Sequence, residues 1–158
     1  MKKTIVLVIA MLFAISMSAQ VKYHPELNIG AGYFFGGETR VHVSTIQGIK
    51  IGDYFSVGAG LGLQLDEALD PNNGFNLSCP TFANVKGYLP FSEKKALFAS
   101  TSVGYCYGPS GTFLVQLGIG ARFGKFKLEL DYCFEAHYFQ NAGRPNNGIM
   151  LILGWMFK

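Results

Sequence analysis

The sequence predicts an all-β protein, an eight-stranded antiparallel up-and-down transmembrane β-barrel. First, apolar and other residues alternate with a period of two over runs of about ten residues, which is typical of a long β-strand. Second, short turns alternate with longer loops between an even number of such runs, as in barrels of the bacterial outer membrane. Third, only 15% of the 158 residues are charged and 49% are hydrophobic, whereas soluble domains carry about 25% charged residues. These numbers exclude a disordered chain or a charged interaction tail.

The N-terminal segment 1–19 has the three parts of a secretory signal peptide. Lys2 and Lys3 precede an apolar run from Ile5 to Ile15, and small residues follow up to Ala19. We expect cleavage after Ala19, which leaves one domain, residues 20–158. Without Lys2 and Lys3 the 13 basic residues fall to 11 against 10 acidic ones. A nearly neutral chain does not support nucleic-acid binding.

Each predicted strand has one face that is almost purely apolar when every second residue is taken. The eight apolar rows run from Leu27 to Phe35, Val41 to Ile49, Phe55 to Leu65, Thr81 to Leu89, Leu97 to Tyr107, Phe113 to Phe123, Phe126 to Tyr138 and Ile149 to Phe157. The second row is irregular, since Gln47 lies on the apolar face and Ile46 on the other. This irregularity indicates a β-bulge in that strand.

The connections separate the two ends of the barrel. Short turns are predicted at Gly52-Asp53-Tyr54, at Ser92 to Lys95 and at Gly124-Lys125, while Asp66 to Leu77 and Phe139 to Asn147 form longer loops. In outer-membrane barrels the short turns are periplasmic and the long loops extracellular. We therefore expect both chain termini in the periplasm.

The apolar face is predicted to contact lipid. It carries no Asp, Glu, Lys or Arg, whereas the opposite face holds charged residues together with ten glycines, among them Gly58, Gly60 and Gly118. Glycine makes room inside an eight-stranded barrel, whose interior side chains just fill. The alternative is a soluble barrel with its apolar face inside. Aromatic residues near both strand ends favour the membrane interpretation, because they match the belts at the two bilayer interfaces.

With these features the chain resembles the small outer-membrane β-barrel proteins of the Bacteroidetes type. The resemblance rests on Ser18-Ala19-Gln20, the hairpin from Gln47 to Gly60, the strand Pro80 to Tyr88, Ser102 to Tyr105 and Gly118 to Gly120. The C-terminal Gly154 to Lys158 also resembles the insertion signal of such barrels, except that Lys158 follows the aromatic residue. The resemblance implies a porin-like or OmpA-like membrane domain without catalytic residues to transfer.

The interior is predicted to be closed by a charged network. Eight strands enclose a lumen that side chains fill, while water-filled pores need about 16 to 18 strands. If Phe123 pairs with Phe126, Gly120 lies opposite Glu129 and Gly118 opposite Asp131. We expect Lys86 and Arg122 to neutralise the carboxylates of this network, since unpaired buried charges are costly. The predicted members are Lys86, Arg122, Glu129, Asp131 and Glu135. A narrow channel for small solutes is the alternative function.

The sequence offers weak candidates for catalysis, and we expect no enzyme. His42 and Ser44 have the spacing of a His–Ser pair found in outer-membrane lipid A deacylases, but the alternation points both inward, with no acidic residue placed to orient the histidine. Glu135 and His137 share a face near the loop end, as a solvated pair. Lipid-modifying activity therefore remains the weaker alternative.

The three cysteines predict neither a metal site nor a regular disulfide framework. Cys79 and Cys106 lie near the loop ends of neighbouring strands but on opposite faces, so a bridge between them needs frayed pairing. Cys133 is predicted to face inward. We expect no cofactor and no metal.

Outer-membrane lipid is the expected environment, and a monomer the expected state. Two classes of function stay open. The first is a structural protein or one that presents its loops, chiefly Asp66 to Leu77 and Phe139 to Asn147, to a protein partner, and the second is transport of small solutes through a narrow or gated lumen.

Overall fold

The computed structural model describes residues 21–68, 75–92, 94–108, 111–137 and 146–157. The predicted signal peptide lies outside them. The structure consists of nine β-strands: β1 Val21–Tyr23, β2 Glu26–Phe34, β3 Glu38–Ile51, β4 Phe55–Ala68, β5 Phe75–Ser92, β6 Lys95–Tyr107, β7 Thr112–Phe123, β8 Phe126–His137 and β9 Asn146–Met156. In this part of the chain, no helix is long and apolar enough to cross a membrane.

The eight long strands close into one antiparallel barrel. Each pairs with the next in sequence, and β9 closes the ring by pairing with β2, from Glu26↔Met156 to Phe34↔Gly148. The short β1 continues alongside β3, with Val21 opposite Ile51. The predicted fold class and the predicted pairing of Phe123 with Phe126 are confirmed. Gly124 makes the tight turn between β7 and β8 with φ of 64°, a conformation that glycine adopts without strain.

Side chains alternate between the two faces of the barrel as predicted. On β8, Leu128 and Leu130 are exposed on the outside, while Lys127, Glu129 and Asp131 are buried inside. The outer surface is apolar around the whole barrel, and at the turn end Phe126 packs edge-on against Trp155 with ring centroids 4.4 Å apart. Tyr138, the last residue of its predicted apolar row, and Phe139, the first of the following predicted loop, lie outside the described residues. The barrel therefore has a polar inside and an apolar outside, which is the arrangement of a membrane barrel.

The predicted bulge in the second strand is wrong. The strand β3 pairs with β4 in one continuous register from Glu38↔Ala68 to Ile51↔Phe55. Ile46 fits inside because Gly58 and Gly60 of β4 leave space for it. Outside, the Gln47 side chain accepts a hydrogen bond from the Tyr23 hydroxyl of β1 and donates one to Thr45 Oγ1 over 2.7 Å. The register shift in the barrel instead lies between Pro90 and Ser92.

The predicted loop from Asp66 to Leu77 is shorter than expected. The strands β4 and β5 extend into it, and Asp66 pairs with Asn76 and Glu67 with Phe75. This ladder forms because Asp66 still points inward, where its carboxylate binds Arg40. The middle of the segment, residues 69–74, lies outside the described residues, as do residues 138–145 of the other long loop.

A glycine inside the barrel is expected to be irreplaceable where strands approach closely. A Cβ atom at Gly104 would collide with the carbonyl oxygen of Thr81 and the backbone of Phe82 on β5. Replacing Gly104 with alanine should therefore lower the free energy of unfolding by about 1–3 kcal/mol, measured by urea titration in detergent micelles. The control is Gly87→Ala, where the nearest heavy atom is 4.0 Å away in the Phe55 ring. Equal stability of the two variants would contradict close packing at Gly104.

Candidate functional site: charged networks inside the barrel

A four-residue network, which we call the central network, crosses the interior of the barrel. It consists of Glu26 on β2, Lys86 on β5, and Lys127 and Glu129 on β8. The Lys86 ammonium donates to Glu26 Oε2. Lys127 Nζ lies 2.9 Å from the same Glu26 oxygen and 2.7 Å from Glu129 Oε2. The charges therefore alternate in sign across three strands.

The central network is almost completely shielded from solvent. Its four side chains are 1–3% exposed. Two ammonium groups face two carboxylates, and the Ser100 hydroxyl donates to the other oxygen of Glu129. Such compensation is required, since an unpaired ion in this environment would cost several kcal/mol. Because Gly118 has no side chain, it leaves room for Ser100, Glu129 and Asp131 to meet.

A second network, the loop-side network, lies nearer the loop end and centres on Arg40 of β3. Its guanidinium donates to Asp66 of β4 through Nε and to both oxygens of Glu135 on β8, with Nη2 3.0 Å from Oε2. The guanidinium also stacks over the Phe34 ring, 3.8 Å from its centroid. A bidentate arginine–carboxylate ion pair of this kind holds the two side chains in a defined relative orientation and balances their charges. The loop-side network therefore ties β8 to β3 and β4 across the lumen.

The five residues that were expected to form one network lie in different parts of the barrel interior. Lys86 and Glu129 belong to the central network, with Asp131 beside it, and Glu135 belongs to the loop-side network. Arg122 lies near the turn end, where its guanidinium carbon is 5.8 Å from the centroid of the Tyr88 ring. The lysine within salt-bridge distance of Glu129 is Lys127, which occupies the position directly across from Arg122 in the β7–β8 ladder.

Four of the charged partners were missed by sequence reasoning: Lys127, Glu26, Arg40 and Asp66. Each of the last three stands one residue beyond the end of a predicted apolar row, next to Leu27, Val41 and Leu65. Continuing the same alternation by one residue places all three inside, so the signal was present in the sequence.

Apolar side chains fill the space around the two networks. Phe34, Cys133, Met150 and Ile152 form one buried cluster, and Tyr88, Ala96 and Phe98 form another. Leu114 is fully buried as well. Packed layers therefore lie across the lumen.

The other described residues that the sequence suggested for catalysis or a disulfide are either buried inside the barrel or cysteines without a disulfide bond. His42 and Ser44 are buried on the inner face, 2% and 4% exposed. Glu135 binds Arg40, and the side chain of His137 lies outside the described residues. Cys79 and Cys106 are free, because the pairing does not fray there: Cys79 lies opposite Tyr107 and Pro80 opposite Cys106. Within the described ranges no three His, Cys, Asp or Glu side chains are grouped to hold a metal ion.

Searches by sequence match neither a known protein family nor a curated protein, but the fold is similar to solved barrels. The outer-membrane enzyme PagL superposes with a TM-score of 0.67 at 8% identity, over 82% of this chain and 98% of PagL. The N-terminal β-barrel domain of Pseudomonas aeruginosa OprF gives 0.53 at 11% identity, over 87% and 100%. A de novo designed transmembrane β-barrel gives 0.52 at 12% identity, over 85% and 95%. At these identities the similarity shows the fold alone, which is that of outer-membrane barrels.

The expectation that this chain is not an enzyme is corrected by the comparison with PagL. An outer-membrane enzyme has the same barrel along 98% of its own length. A barrel of this fold therefore does not exclude catalysis, and the shared fold does not establish an activity either.

Proposed function

We propose that this chain is an integral outer-membrane protein, a monomeric barrel whose lumen is closed by side chains and whose termini lie in the periplasm. The observation that carries the proposal is the combination of an apolar outer surface with paired charges inside. A soluble barrel would place its charged residues outside, in contact with water. A conducting pore would leave its charged side chains hydrated, whereas those of the central network are 1–3% exposed.

The closed lumen is the part of the proposal that separates it from a narrow porin. An ion that crosses the barrel would have to displace Glu26 from Lys86 and Lys127, and then pass the cluster around Phe34 and Met150. Breaking a buried ion pair costs about 3–5 kcal/mol, so ion passage should be too rare to give a steady current.

Planar-bilayer recording tests this closure. The purified wild-type protein should give no steady open-channel current in symmetrical potassium chloride, and a large porin inserted under the same conditions serves as the positive control. Steady openings of uniform size that scale with the amount of inserted wild-type protein would contradict the closed lumen and favour a solute channel.

The proposed role of the barrel is to hold its loop end for contact with a partner outside the membrane. The paired ends of β4 and β5 support this role, because Phe75 and Leu77 expose 72% and 58% of their surface on that side. Because β5 has 18 residues and a tilted membrane strand needs about 9–11, this end of the strand extends beyond the lipid-facing band, where exposed apolar groups mark interaction sites. A photo-crosslinker at Phe75 in native outer membranes should give one discrete adduct, while a crosslinker at Leu151 in the lipid-facing band should not. No adduct at Phe75, or the same one at both sites, would contradict the role.

A further inference from the structure

A polar pocket occupies the turn end of the barrel, apart from the central network and the loop-side network. It has a volume of about 220 Å³, and β1, the ends of β3, β7 and β9 and two of the short turns surround it. A water molecule takes about 30 Å³ in the liquid, so the pocket is large enough for a small anionic group. We call it the turn-end pocket.

The wall of the turn-end pocket is strongly cationic. Four of its described lining residues carry positive charge, Lys22, Lys50, Arg122 and Lys125, against the single carboxylate of Asp53. Lys50 Nζ is 3.3 Å from Asp53 Oδ1, and the Asp53 side chain is 81% exposed. An exposed carboxylate compensates little of a neighbouring charge. The pocket therefore has an excess of positive charge.

Two of these cations lie near the same buried aromatic ring, that of Tyr88. Lys50 Nζ lies 5.4 Å and the Arg122 guanidinium carbon 5.8 Å from the centroid of the Tyr88 ring. They come from β3 and β7, which are not neighbours in the barrel. Closure of the barrel thus brings together two cations that no single hairpin would place side by side.

The carboxylates deeper in the barrel do little to cancel this charge. Glu26 is engaged by Lys86 and Lys127, and Glu129 by Lys127 and Ser100. The Tyr88 ring that Lys50 and Arg122 approach is itself only 4% exposed. Positive charges held close together repel one another, and a bound anion relieves this repulsion.

We propose that the turn-end pocket binds a phosphate group, carried either by an anionic phospholipid headgroup or by a soluble phosphate compound. Arginine presents a planar fork to phosphate oxygens, and lysines add point charges around it. The excess of three positive charges among the described lining residues suits a phosphate better than a single carboxylate. Tyr54, Phe55 and Phe126 are exposed at the same end of the barrel, and aromatic belts of this kind mark the headgroup level of a membrane.

The test uses the full mature chain in dodecyl maltoside micelles, which contain no phosphate. One arm titrates inorganic pyrophosphate by calorimetry at low salt. The other measures by native mass spectrometry whether phosphatidylglycerol is retained in preference to phosphatidylcholine. We expect binding in at least one arm, and which arm responds identifies the source of the phosphate. Lys50→Gln and Arg122→Gln should each weaken binding at least about tenfold, the effect of losing one charge-assisted contact.

Lys94→Gln is the matched control, since Lys94 is exposed at the same end of the barrel and lies outside the lining of the turn-end pocket. If Lys50→Gln or Arg122→Gln does not fold, the exposed lining residues Lys22 and Lys125 provide substitutions that leave the interior intact. Absence of binding in both arms overturns the proposal. An equal loss of binding in Lys94→Gln also overturns it, because general charge attraction would then explain the result.

Discussion

Replacing Glu26 with glutamine is expected to lower the free energy of unfolding by about 3–5 kcal/mol, the cost of leaving a buried ion unpaired. Glu26 is 2% exposed and lies between Lys86 and Lys127. Glutamine has nearly the same shape but no charge, so Lys86 would lose the carboxylate that it pairs with and Lys127 would keep its ion pair with Glu129. The loss therefore measures charge compensation inside the barrel and not the packing of a smaller side chain.

Urea unfolding in micelles, followed by tryptophan fluorescence of Trp155, measures this change. Glu67→Gln is the control, because Glu67 is exposed on the outer face at the loop end and exposed charges contribute about 0–1 kcal/mol. If Glu26→Gln were as stable as Glu67→Gln, the central network would contribute nothing to closing the barrel.

Replacing Leu130 with arginine is expected to destabilise the inserted barrel by about 2–4 kcal/mol, the cost of a cation at the middle of a membrane. Leu130 is 47% exposed on the outer face of β8, where it pairs with Leu151. Both residues lie near the centres of their strands. An arginine there would have to reach a distant interface or bring water with it.

The same substitution at Leu89 is the control for position. Leu89 is also on the outer face but near the turn end of β5, where the cost falls to about 0–1 kcal/mol. Folding into lipid vesicles, measured as resistance to urea, should therefore separate the two variants. Equal tolerance of both arginines would mean that the outer face does not lie in a hydrocarbon layer.

The alternation of residues predicted the faces of the eight barrel strands, apart from the bulge that it wrongly indicated in β3, and the short turn at Gly124 predicted the pairing of β7 with β8, because both depend on neighbours along the chain or across one turn. It did not predict the ion pairs. Glu26 and Lys86 belong to β2 and β5, and Arg40 and Glu135 to β3 and β8. These strands meet only across the lumen, so their contacts depend on the stagger and curvature of the closed barrel.

The sequence was least informative about activity, and the structure explains this. PagL is an outer-membrane enzyme, and a designed transmembrane barrel shares the same architecture. In this chain alternation, turns and interior glycines specify the architecture, while function depends on particular side chains. In this chain His42 and Ser44 lie inside, and the cations around the turn-end pocket come from separate strands. The alternation predicts the first arrangement, whereas no local motif predicts the second.

A barrel inserted in the membrane as proposed contacts lipid with its apolar face and fills its lumen with the charged face. Intermolecular nuclear Overhauser effects between methyl groups and detergent acyl chains distinguish the two faces. Leu117, Ile119 and Leu151, exposed on the outside, should show strong effects, while the buried Leu114 and Ile152 should show none. The same methyl types are compared, so only the face differs. Strong contacts from Leu114 and Ile152, with none from Ile119 and Leu151, would contradict the account.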